Sequence, residues 1–101
     1  MDEKFFPEYL NAGSKHPAVV LLKIVLIVLD FNRYIVINDS YDAETIAGVK
    51  KLQCLLGFKG TDIDGHFGPK IRRAFLKSYG LDVNYLRVSD FQGEKIVVTP
   101  D

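Results

Sequence analysis

The sequence is short of several things, and each shortage narrows what it can do. It has one cysteine, Cys54, so no internal disulfide forms and a cysteine-based zinc site has no partners. Cys54 stands in a run of core-type residues and reads as a small buried thiol rather than a nucleophile. Net charge is also missing: 13 basic residues balance 13 acidic ones. No overall field draws the protein to nucleic acid or to an anionic membrane. The longest apolar stretch, Pro17 to Leu29, is interrupted by Lys23 and falls short of the roughly 20 residues of a membrane-spanning helix. The N-terminal residues MDEKFFPEYLNAGSKH lack the basic-then-apolar order of a signal peptide. As encoded, the chain is expected to be cytoplasmic, and contact with a cell wall would need lysis or another export route.

Catalytic patterns are absent too. No serine lies in a nucleophile-elbow context and no zinc-hydrolase motif occurs. Nothing pairs the scattered carboxylates as acid and base. Asp62, Asp64 and His66 are close together, but their spacing fits no EF-hand loop and is explained by a turn. The expectation is a non-enzyme with no catalytic residues, no metal and no cofactor.

What is present suits one domain of 101 residues with one modest core. Residues 1–14 read as an arm, with Phe5, Phe6, Tyr9 and Leu10 able to dock onto the body. Ser14 is placed to cap a first helix over about Lys15 to Asp30, with Pro17 in its first turn. The β-branched run AVVLLKIVLIVLD also suits a strand, and length decides for helix. After a connector over 31–41, Asp42 opens a second helix with an apolar stripe at Ile46, Val49, Leu52, Gln53 and Leu56, ended by Gly57. The loop KGTDIDGHFG leads to Pro69 and a third helix, expected to turn Ile71, Ala74, Phe75 and Leu76 inward and to end at Gly80. Residues 81–101 suggest a short hairpin or an extended tail.

The chain repeats itself. INDSYDAET, from Ile37, aligns with IDGHFGPKI, from Ile63, so that Asn38 meets Asp64, Tyr41 meets Phe67 and Asp42 meets Gly68. Each copy is an apolar residue, a turn, an aromatic, a cap and a helix. The apolar residue and the aromatic pin the turn, and the cap starts the helix at a fixed angle. The fold class expected is mainly α: a compact three-helix bundle of pseudo-repeated loop-helix units, with the core over 15–80.

Asp42-Ala43-Glu44-Thr45, Val49, Leu52-Gln53 and Ile63-Asp64-Gly65-His66-Phe67-Gly68-Pro69-Lys70 resemble the pattern of peptidoglycan-binding domains of the first type, over roughly His16 to Gly80. The resemblance implies a three-helix module, without chemistry of its own, that holds cell-wall glycan or stem peptide. On this reading Asp64, His66, Lys70 and Arg73 are the candidate ligand-binding residues. Lys70, Arg72, Arg73 and Lys77 form a basic group that suits stem-peptide carboxylates, and Tyr41 and Tyr79 are candidates for stacking on sugar.

The sequence departs from the family pattern in places. Asn38-Asp39-Ser40 stands for Asp-Gly-x, Ile71 for threonine, and Lys23 for a glutamine in the first helix. That helix is apolar almost all round, so the arm, the C-terminal segment or another subunit must cover it. This motivates a second reading: a stand-alone protein-interaction module, an adaptor or a phage-encoded inhibitor of a host protein, with a homodimer through the first helix as one form. The partner is therefore peptidoglycan or a protein, not nucleic acid.

Overall fold

The computed structural model describes residues 7–80 and 82. The proposed C-terminal hairpin, Phe5 and Phe6 lie outside them. Three α-helices follow one another: α1 (Pro17–Val28), α2 (Ala43–Leu55) and α3 (Pro69–Tyr79), with a single 3-10 turn at Gly60–Asp62 before α3. Among the described residues there is no strand, only two isolated antiparallel bridges. The expected three-helix bundle is what forms. No helix among these residues is long and apolar enough to cross a membrane.

The start of α1 differs from the expectation. His16, not Ser14, is its cap, and its Nδ1 accepts from the Ala18 N–H at 2.9 Å. The reason lies in Pro17. A residue before proline is driven to extended backbone, and His16 adopts φ −159°, ψ 141°. Lys15 is likewise extended, in a bridge to Ser40, while Ser14 bonds back to Asn11. The helix begins at the first residue that the proline allows.

Both α1 and α2 close with the same device. After α1, the Phe31 N–H donates to the Leu26 carbonyl and the Asp30 N–H to that of Ile27; after α2, Phe58 and Gly57 donate to Gln53 and Cys54. Each is the double bond of a Schellman ending, with the left-handed position held by Asp30 (φ 63°) and Gly57 (φ 94°). Gly57 stops α2 as its place in the sequence predicts. Asp30 is an acceptable substitute because its short polar side chain tolerates that conformation.

One core joins all three helices. It takes Leu10 from the arm, Phe31 and Ile35 from the connector, most of α1, Val49 and Leu52 from α2, and Phe67, Ile71 and Phe75 around α3. Eight of the twelve residues of α1 are buried. The arm and the connector cover the faces that a bare bundle would leave open. Among the described residues, none of the large hydrophobics left exposed lies on α1.

On α3 the inward stripe is narrower than expected. Ile71 and Phe75 are buried and Ala74 half-buried, but Leu76 is 45% exposed. It stands about 100° round the helix from Phe75, off the buried face. Cys54 is exposed rather than buried, for the same reason. Leu52 and Gln53 face inward, and the next residue turns out.

Residues 7–16 are a strap across both repeat turns. Leu10 exchanges two backbone bonds with Phe67, at 3.0 and 2.8 Å. Further along, Gly13 donates to Tyr41, Tyr41 to Ser14, and His16 to Asp39.

The cation in the middle of α1 has a definite task. Lys23 is fully buried, and its Nζ donates to the Val36 carbonyl at 2.9 Å, to Asn38 Oδ1, and to Asp42 Oδ2 at 3.4 Å. A buried ammonium is tolerable only when its donors are used in this way. Lys23→Met keeps the length and loses the donors, leaving the Val36 carbonyl and Asn38 without their partner. It is expected to lower unfolding free energy by about 1–3 kcal/mol, measured by urea denaturation. Amide exchange at Ser40, whose N–H is held by Asn38, should quicken with it.

Candidate functional site

The second turn is built from α2. Gln53 is buried on the inner face of the helix, and its amide meets the loop on three sides. Its Nε2 donates to Asp64 Oδ1 at 3.0 Å and to the His66 carbonyl at 3.4 Å, while its Oε1 accepts from the Gly65 N–H at 2.9 Å. Asp64 Oδ1 also accepts from the His66 N–H at 2.9 Å, closing an Asx turn. Tyr41, from the first repeat and fully buried, donates its hydroxyl to the Gly65 carbonyl. Burial, and then the Asp64 charge, push the Tyr41 phenol well up, so it stays protonated and remains a donor.

Gly65 has no substitute here. Its φ is +77°, and a Cβ at this position would lie 2.7 Å from Ile46 Cγ2. The backbone must run this close to α2 for Gln53 to reach both its N–H and its neighbours.

The first turn repeats this design with other atoms. Asn38 Oδ1 accepts from the Ser40 N–H at 3.0 Å and from Lys23 of the preceding helix, as Asp64 does from His66 and Gln53. The two departures from the family pattern, Lys23 and Asn38, are thus partners: a cation on a neutral amide in one turn, a neutral amide on a carboxylate in the other. Lysine can only donate, and the Asp39 backbone, at an exposed residue, needs no acceptor from it. Asp42 then caps α2, its Oδ1 accepting from the Thr45 N–H at 3.2 Å and hydroxyl at 2.7 Å.

Beside the second turn lies an open cleft of about 200 Å³. Tyr9 of the strap, Phe58 after α2, Asp62, Asp64 and His66 of the loop, and Lys70 in the first turn of α3 line it. Lys70 pairs with Asp62 at 3.2 Å, both well exposed. Three of the four residues expected to bind ligand therefore come together: Asp64, His66 and Lys70. Arg73 is exposed on α3 and does not line the cleft. Arg72 is half-buried, in the fields of Asp82 and Glu8.

The residues considered for sugar stacking are placed elsewhere. Tyr41 is core, and Tyr79 is half-buried with its ring centroid 5.0 Å from that of Phe75. The aromatics on the cleft are Tyr9 and Phe58. Among the described residues no three of the metal-binding type are grouped to hold an ion. Asp64 is committed to the turn and Asp62 to Lys70.

Two carboxyls are held below their ordinary values. At Asp42, partial burial opposes the charge but is outweighed by the side-chain and backbone bonds from Thr45 and by Lys23. At Asp64, partial burial is likewise outweighed by the Gln53 amide, the His66 N–H and the His66 ring. Both are ionised at neutral pH.

The chain matches no protein-family model, no curated protein and no solved structure.

The glycine requirement and the two lowered carboxyls generate separate expectations. Gly65→Ala adds a left-handed alanine and a clash with Ile46, and is expected to cost about 2 kcal/mol or more, read from the urea midpoint. For the carboxyls, a value lower in the folded than in the unfolded chain stabilises above the unfolded value of about 3.9 and ceases to do so as pH falls through the folded value. Asp64→Asn keeps the Oδ1 acceptor and removes the titration. It should lose less stability than the wild type on going from about pH 5 to about pH 2, compared by thermal melts.

Proposed function

We propose that this protein is a non-catalytic binding module that holds peptidoglycan through the cleft beside Asp64, His66 and Lys70. The observation that carries the reading is the convergence of these three side chains, from the segment that most resembles the peptidoglycan-binding pattern, on one cleft with an aromatic wall. A turn held by Gln53 and Tyr41 presents them on a rigid base, which favours recognition because little ordering is needed on binding.

Asp64 is held ionised, as an acceptor, and Asp62 is paired with Lys70.

A protein partner is the second reading. It is favoured by Tyr34 and Val36, which stand out of the connector at 75% and 63% exposure and do not line the cleft.

Sedimentation with insoluble, protein-free sacculi separates the two. The wall reading expects the protein in the pellet and Asp64→Asn or Lys70→Ala shifted toward the supernatant, with Tyr34→Ser unchanged. Protein that stays in the supernatant at low and moderate salt overturns it.

A further inference from the structure

We propose that the cleft takes a sugar ring stacked on the exposed face of Tyr9, so that the glycan strand rather than the stem peptide is recognised. This rests on the wall-binding reading and narrows it.

Tyr9 is 59% exposed, and its ring lies against Gly68. A Cβ on Gly68 would meet Tyr9 Cε1 at 2.6 Å, Cδ1 at 3.0 Å and Cζ at 3.1 Å. Three consecutive ring atoms therefore lie against the glycine backbone, which only a residue without a side chain permits. The strap holds this position from the next residue, through the two backbone bonds between Leu10 and Phe67. An aromatic ring backed by main chain on one side and open on the other is a platform.

The polar side of the cleft suits hydroxyl and acetamido groups. Both described bonds to Asp64 fall on Oδ1, from Gln53 and from the His66 N–H. Asp64 is an exposed carboxylate in the lining, with its orientation set by these two bonds. Asp62 and Lys70 supply a second acceptor and a donor within one contact pair. Sugars present an apolar C–H face and a rim of hydroxyls, and this cleft offers a flat apolar face beside fixed charged groups.

The charge distribution disfavours the other half of peptidoglycan. Among the lining residues two carboxylates, Asp62 and Asp64, stand beside one ammonium, Lys70, so a stem-peptide carboxylate meets more negative than positive charge. Arg73 lies off the cleft. A cleft of about 200 Å³ is also below the roughly 300–1,000 Å³ of drug-sized ligand sites, and suits one ring at a time along a strand.

The test uses soluble β-1,4-linked N-acetylglucosamine tetramer and a sugar-free stem peptide as probes, titrated into the full chain and followed by amide chemical shifts. The sacculi assay runs in parallel. The tetramer is expected to bind and to shift Gly65, His66 and Lys70, and the peptide to leave them in place. Tyr9→Phe should bind within about twofold of wild type, and Tyr9→Ala at least about tenfold more weakly, a change of about 1.4 kcal/mol.

Gly68→Ala moves the ring without removing it and should also weaken binding. Because it touches a different residue, it guards against an effect of Tyr9→Ala on the strap alone. Unchanged amide spectra away from the cleft identify folded variants. Wild type that pellets with sacculi but ignores the tetramer, or Tyr9→Ala that binds it undiminished, overturns this inference and leaves wall binding standing. Wild type that neither pellets nor binds the tetramer overturns both.

Discussion

The fold depends on a side-chain donor sent from each of the first two helices into the turn that follows it. Lys23 reaches Asn38 and Gln53 reaches Asp64, and in both turns the receiving oxygen also accepts the N–H two residues on. A turn closed only by its own Asx bond would be one of many accessible conformations. Tied to a buried atom of the preceding helix, it has one. The direction of the next helix follows, because the turn ends in that helix's cap.

This makes the halves of the molecule related in design without being interchangeable. The first turn uses a cation against a neutral amide and adds an ion pair to the Asp42 cap. The second uses an amide against a carboxylate, and α3 starts at Pro69 without a side-chain cap. The first arrangement carries its polarity inward. The second keeps its carboxylate, Asp64, exposed beside the cleft.

Much of the frame was legible in the sequence because it is written locally. The offset between Ile37 and Ile63, Asp42 before α2, Pro69 in the first turn of α3, and the glycines after α2 and α3 each act within a few residues. What the sequence obscured was set at long range. Lys23 stood out as a lone charge in an apolar run, but its partners lie in the connector, beyond the end of its own helix. Tyr9 gave no sign of facing a cleft, since the wall it joins is formed by α2, the second loop and α3. Leu76 and Cys54 are core-type residues that stand outside the buried face, and hydrophobic type alone does not fix the face of a helix. The Ser14 cap failed where two local rules met, and the restriction imposed by Pro17 was the stronger.

The strap has a consequence for the order of assembly. Leu10 is made early, but its partner Phe67 belongs to the last of the three loop-helix connections, so the pairing spans most of the described chain. Contacts between residues so far apart close late, because the intervening chain must already be compact for them to be favourable. Until α3 begins to form, the strap has only the first turn to hold. The helical core and the Tyr9 wall of the cleft are therefore completed in the same step, and a chain halted before Phe67 has the first turn without the second.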